Sequence, residues 1–173
     1  MSMPSARLLV FVGENFCCVK IVGRANFNSS VDFKTLLNEL RLKGYNYFVL
    51  ELSECLLMDS TFLGVLTGFG LKMNASDPGS TGRIELLNPN TRIVELLENL
   101  GVLHLFQIRN GELAPPNGSS LCEQPSSEPS KEEVTRACLE AHQTLMEANP
   151  ANVSRFKDVT QFLADDLKRL KPA

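Results

Sequence analysis

Apolar and polar positions alternate between two kinds of pattern along the chain. Arg7-Leu-Leu-Val-Phe-Val12 and Phe16-Cys-Cys-Val-Lys-Ile-Val22 have the length and branched or aromatic content of strands. Gly13-Glu14-Asn15 between them predicts a hairpin turn, and Gly23 closes the second strand. Phe33, Leu36, Leu37 and Leu40 then fall at i, i+3, i+4 and i+7, which predicts one buried face of a helix over 31–42, capped by Asn28, Ser29 or Ser30 and stopped at Gly44. Tyr47-Phe-Val-Leu-Glu-Leu52 is a strand with little polar character, as in a mostly parallel sheet covered on both faces.

After a short apolar loop come Asp59-Ser60-Thr61 and a segment, 62–73, that is apolar nearly all round. It reads as a buried helix whose glycines Gly64, Gly68 and Gly70 permit close packing against a neighbour, since each interior glycine otherwise costs about 1 kcal/mol. A Ser/Asp/Pro/Gly loop is expected over 74–82, then a strand Arg83-Ile-Glu-Leu-Leu87 and a turn at Asn88-Pro89-Asn90. A helix follows, capped by Asn90 or Thr91, with Ile93, Leu96, Leu97 and Leu100 on one face and Gly101 at its end. Leu103 to Ile108 fits a short last strand or an irregular segment.

The order strand-strand-helix-strand-helix-strand-helix is that of an α/β domain. At Ala114 the composition changes. Residues 114–130 carry Pro115, Pro116, Pro125 and Pro129 among many serines and read as a linker. Beyond it, Val134, Ala137, Cys138, Ala141 and Leu145 form one helical stripe, and Val153, Phe156, Val159, Leu163, Leu167 and Leu170 another, with Asn149-Pro150 between them. The expected organisation is a domain over 1–113, a linker over 114–130 and a C-terminal helical hairpin over 131–173. The hairpin must bury its two apolar faces on the domain, on a second copy in a homo-oligomer, or on another protein.

The chain has 17 basic and 20 acidic residues, a net charge of −3, so no basic surface for nucleic acid is implied. No apolar run is long enough to span a membrane, and Met1 to Arg7 lack the basic-then-apolar pattern of a signal peptide. Cys17, Cys18, Cys55, Cys122 and Cys138 contain no CxxC pair, and His104 and His142 lie near no cysteine pair. A metal centre is therefore not expected, and the cysteines read as reduced thiols of a cytoplasmic protein. Adjacent in a strand, Cys17 and Cys18 point to opposite faces of the sheet.

Asp59-Ser60-Thr61 is the candidate centre. At a strand-helix junction an Asp, Ser or Thr oxygen accepts a hydrogen bond from a free N–H of the first turn, and the acid also favours the positive end of the helix dipole. The same position suits a phosphorylation switch on an exposed hydroxyl, because a helix start tolerates the added charge while a docked acidic or apolar partner does not. A catalytic serine is disfavoured: no GxSxG surrounds Ser60, and neither histidine falls in a triad context. The glycines of the apolar helix form no phosphate loop, and no cofactor is implied.

The run Tyr47-Phe-Val-Leu-Glu-Leu-Ser53, Met58-Asp59-Ser60-Thr61 and Leu63-Gly64-Val65-Leu66 resembles the STAS domain of bacterial anti-sigma factor antagonists. Gly23, Ile84-Glu-Leu-Leu-Asn-Pro89 and Leu96 to Ile108 agree in order, so the resemblance covers about 7–110. It implies a mixed sheet of four to five strands flanked by helices, with the helical hairpin as an extension. It also implies a non-enzymatic, protein-binding module in partner switching that controls transcription. In that family a serine kinase, itself an anti-sigma factor, phosphorylates the serine after the Asp, and a serine phosphatase reverses it. Ser60 matches the phosphoacceptor, Asp59 the preceding acid and Thr61 the second hydroxyl, a lesser acceptor. Phe62 stands where the family commonly has Gly, and Asn26 where it commonly has Asp. The expected partner-binding residues are Asp59, Ser60, Thr61, Phe62 and Asn26. Two other readings fit the residues: a STAS-like scaffold subunit of a larger complex without phosphorylation, and a small-molecule or nucleotide sensor.

Overall fold

The computed structural model describes residues 6–75, 83–115 and 121–170. Most of the expected loop over 74–82, part of the Pro/Ser-rich stretch and both chain ends lie outside the described residues.

Strands β1 (Arg7–Val12) and β2 (Cys17–Ala25) form the expected antiparallel hairpin, pairing Phe11 with Cys18 and Val10 with Val19. Helix α1 (Phe27–Leu42) leads to β3 (Tyr47–Glu51), then β4 (Cys55–Met58), helix α2 (Ser60–Ala75), β5 (Arg83–Leu87) and helix α3 (Thr91–Asn99). A single 3-10 turn, Leu103–Leu105, precedes β6 (Gln107–Arg109), so the segment expected to be strand or irregular is both. The described strands number seven rather than four to five: six run in the order β6-β5-β3-β2-β1-β7, and β4 pairs in parallel with the end of β2. β3, β5 and β6 also run parallel to their neighbours, which makes the sheet mixed.

The two extra strands were hidden for physical reasons. β4 lies in the segment read as a loop; it is four residues long and pairs across an irregularity between Gly23 and Arg24, which blurs its alternation. β7 (Cys122–Gln124) is three exposed residues inside the Pro/Ser-rich stretch, and it adds to the free edge of β1 by backbone bonds that need no apolar pattern. α1 begins at Phe27, earlier than the expected 31. Its cap is Asn26, whose side chain accepts from the N–H groups of Asn28 and Ser29 while Ser29 Oγ accepts from Asn26 N–H, a reciprocal capping box.

The sheet divides the apolar residues as period-2 alternation requires. Cys17, Val19, Ile21, Phe48, Leu50, Ile84 and Leu86 join the main core with residues of α1, α2 and α3, whereas Cys18, Val49, Leu87 and Phe11 form a smaller cluster on the other face. Cys17 and Cys18 thus face opposite ways, and burial pushes both thiols up to about 12. None of the five cysteines is bonded to another.

The tail does fold as two helices, α4 (Lys131–Ala148) and α5 (Val153–Leu170). α4 packs on α2 and α1. Its start carries a capping box between Ser130 and Glu133. The turn into α5 is tied to the end of α3 by Asn152, whose amide donates to the Leu100 carbonyl at 3.0 Å and to the Leu145 carbonyl at 2.9 Å. The neighbour that the glycines of α2 admit is this tail. A Cβ on Gly64 would stand 2.4 Å from the Ala141 carbonyl oxygen and 2.6 Å from the Ala141 Cβ.

Candidate functional site

β2 and β4 end side by side, and each passes directly into a helix: Asn26 joins β2 to α1, and Asp59 joins β4 to α2. The Asp59 N–H donates to the Ala25 carbonyl at 2.9 Å, which fixes the two junctions together. Two helix starts, each with N–H groups lacking helical partners, therefore lie next to each other. Asp59 serves both. Its Oδ1 accepts from Phe62 N–H at 2.8 Å in the first turn of α2, and its Oδ2 accepts from Phe27 N–H at 2.7 Å at the start of α1.

Burial pushes the Asp59 carboxyl above the ordinary aspartate range. The N–H groups of Phe62 and Phe27, the nearby His142 and the Thr61 N–H oppose that push. With its folded-state pKa raised, this carboxyl holds its proton more tightly in the folded than in the unfolded chain. The proton-linked part of its contribution to stability is therefore largest below the unfolded value and is lost as pH rises through the folded one. A carboxyl-detected NMR titration of the intact protein is expected to place the Asp59 midpoint above 3.8. A midpoint at or below the ordinary value would mean that the N–H donors outweigh burial.

Ser60 opens α2 but is not the exposed hydroxyl that its position at the sheet rim predicts; it is partly buried beneath α4. Ser60 Oγ lies 2.8 Å from His142 Nε2, and His142 Nδ1 lies 2.6 Å from the Cys138 carbonyl oxygen. A carbonyl only accepts, so Nδ1 carries a proton, and in the neutral ring Nε2 offers a lone pair to which the Ser60 hydroxyl donates. The imidazole is 5% exposed. It meets the Phe156 ring edge-on at 5.0 Å.

The other expected site residues separate. Asn26 holds α1, as described. Thr61 is buried at 5% exposure, close to Cys138. Phe62 is fully buried and stacks on Phe33, with ring centroids 4.4 Å apart and planes 21° from parallel. It is a core residue and contributes nothing to a docking surface. At the start of α1, Phe27 is 44% exposed, and in β4 Leu56, whose carbonyl accepts from the Asn90 amide that caps α3, is 62% exposed. Reading the sequence missed His142, which falls in no recognisable triad context. Its signal was its place on the α4 stripe, four residues after Cys138 and three before Leu145.

A serine bonded to a histidine invites a nucleophilic reading, which the surroundings do not support. The imidazole is oriented by a carbonyl rather than a carboxylate, Asp59 is taken up by two backbone N–H groups, and the Phe62 N–H is no longer free to hold an oxyanion. Among the described residues no group of three His, Cys, Asp or Glu side chains could hold a metal ion, and no helix is long and apolar enough to cross a membrane.

Comparison with known proteins supplies the family context. A family model described as STAS domain matches residues 10–112. The crystal structure of TM1081 from Thermotoga maritima is similar over 59% of this chain and 85% of that one, at 22% identity and a TM-score of 0.53. The anti-sigma factor antagonist SpoIIAA in its unphosphorylated form is similar over 62% of this chain and 89% of its own, at 16% identity and a TM-score of 0.52. The phosphorylated form of SpoIIAA from Bacillus, at 18% identity and a TM-score of 0.51, covers 62% of this chain and 92% of its own. No curated protein matches the chain. At these identities the structural likeness speaks for the fold.

Proposed function

Because the chain belongs to the STAS domain family, we propose that it is an anti-sigma factor antagonist-like binding module, switched by reversible phosphorylation of Ser60 in a partner-switching pathway that controls transcription. The observation that carries this reading is the position of Ser60, first in α2 and beside the start of α1, where the N–H of exposed Phe27 donates to the neighbouring Asp59. Ser60 is the acceptor rather than Thr61, which is buried. The partners are a serine kinase that is also an anti-sigma factor and a serine phosphatase. The kinase moves a phosphoryl group from a nucleoside triphosphate to Oγ, with release of the nucleoside diphosphate and the hydroxyl proton. Hydrolysis by the phosphatase restores the hydroxyl and liberates inorganic phosphate.

In this reading the domain itself is not an enzyme and acts in the cytoplasm. Residues 1–113 are the STAS domain, 114–130 a linker with its short edge strand, and 131–173 a helical extension. The added phosphate suits the converging helix starts, while the charge expels an apolar partner from the exposed Phe27. Mass spectrometry of the protein isolated from its native cells is expected to find phosphate on Ser60. Phosphate absent from Ser60 across growth conditions, or present on Thr61 alone, would overturn the switch. The second reading, a STAS-like scaffold without phosphorylation, draws on one observation: the Ser60 hydroxyl is already satisfied by His142.

A further inference from the structure

The face that carries Ser60 is occupied in cis. α4 packs on α2, and at Gly64 it leaves no room for a Cβ against Ala141, one residue before the histidine that binds Ser60. From this geometry we infer that α4 is a releasable lid: its docking on α2 and a modified or partner-bound Ser60 exclude each other. The inference deepens the proposed function and rests on Ser60 being at the docking face.

Three observations support it. First, there is no room for both. The 2.8 Å between Ser60 Oγ and His142 Nε2 is a direct hydrogen bond, and a phosphorus with its three oxygens cannot enter it unless α4 withdraws. Asp59, the residue preceding Ser60, would add repulsion.

Second, the lid is held by contacts suited to release. Among the described tail residues, Ala141 and Leu145 are the buried members of the main core, Ala148 and Phe156 pack at its margin, and the remaining buried ones, such as Ala137 and Leu167, lie outside it. Where α4 crosses Gly64 and Gly68 it does so through Ala141 and Thr144, small residues that each remove little apolar surface from water. The ion pair from Lys34 to Glu140, at 3.1 Å, is exposed at both ends and worth little. α5 rests on α4 and on the turn before it, and its outer side leaves Phe162 63% exposed.

Third, the lid has tethers that survive its opening. One is the β1–β7 pairing. The other is the bond of Asn152 to Leu100 at the end of α3. Withdrawal of the α4 segment around His142 breaks neither, so the tail stays at high local concentration and can close again.

Cys138 reports the lid's position. Closed, its thiol is pushed up by burial against the pull of the Thr61 hydroxyl, and nearby Asp59 adds to the push. Released, it becomes an ordinary reactive thiol. The test uses the full chain as wild type, Ser60→Glu, His142→Ala and Gly64→Ala. Alkylation of each cysteine and hydrogen exchange of α4 are read peptide by peptide. Exposed Cys122 is the reference, and buried Cys17, Cys18 and Cys55 report an intact core.

Ser60→Glu sets a charge against a buried ring, and Gly64→Ala sets a methyl against α4 backbone. Each is expected to speed Cys138 alkylation and α4 exchange about tenfold or more with the core thiols still silent. His142→Ala, which removes one hydrogen bond, is expected to give about fivefold. Unchanged rates in Gly64→Ala and His142→Ala overturn the lid, even if Ser60→Glu opens the whole core. The kinase plays no part in this test, so the two readings fail separately. Phosphate on native Ser60 with a lid that never opens sinks the lid alone, and an opening lid without native phosphate sinks the switch alone.

Discussion

Phe62→Ala is expected to cost about 3–5 kcal/mol of unfolding free energy, the range for emptying a fully buried aromatic site. Phe62→Gly, which installs the residue common at this position in the family, is expected to cost up to about 1 kcal/mol more through helix propensity. For a domain whose whole stability is typically about 5–15 kcal/mol, that is a large fraction. The reason is local. Phe62 has no exposed surface, and its ring lies against Phe33 of α1, so it joins the two helices whose starts meet at Asp59. Urea unfolding at neutral pH measures the loss, and a double-mutant cycle with Phe33→Leu should return a coupling of about 0.5–1.5 kcal/mol for the stacked pair. A loss under about 1 kcal/mol would put Phe62 at the surface and restore it to the docking face.

That result bears on the position where the STAS resemblance implies a glycine. With glycine at this position the α1–α2 gap would be filled some other way; here Phe62 fills it from within. The departure therefore changes the core and leaves the polar edge intact. Asn26 is a similar case. It stands where the family commonly has an acid, and it caps α1 through a side-chain oxygen and a capping box, a structural task that Asn performs as well as Asp.

Much of this arrangement was legible in the sequence. The helical spacing of Phe33, Leu36, Leu37 and Leu40, the apolar β3 and the capping signal at Asn90 all have strong local causes, and the structure follows them. The glycines of α2 correctly announced a close neighbour. What remained hidden depends on residues far apart in the chain. Nothing near Ser60 announces His142, which lies 82 residues away and reaches it only because α4 docks on α2. β4 and β7 are too short for period-2 alternation to reveal, and Phe27 looks like the start of an apolar pattern until the capping box turns it outward. Amphipathicity showed that the tail needed a partner surface, but only the opposed Gly64 and Ala141 identify that surface as the domain's own.

Asp59→Ala is expected to lower stability by about 2–3 kcal/mol: about 1–2 for the cap of α2, and about 1 for the bond that reaches across to α1. Asp59→Asn should fall between this and wild type. One amide oxygen can still accept, but the amide nitrogen then faces an N–H, so one helix start loses its partner. Hydrogen exchange distinguishes the two sites: both the Phe27 and Phe62 amides should exchange faster in Asp59→Ala, and chiefly one of them in Asp59→Asn. Unchanged stability and unchanged exchange in both variants would mean that the acid serves only to meet a partner. The double cap gives Asp59 a second consequence. Because one carboxylate holds the first turns of α1 and α2 together, a phosphate arriving on the adjacent Ser60 disturbs both helix starts at once. The charge is then felt at Phe27 on α1 as well as at the α4 lid on α2, and a modification of one hydroxyl can alter the whole exposed rim.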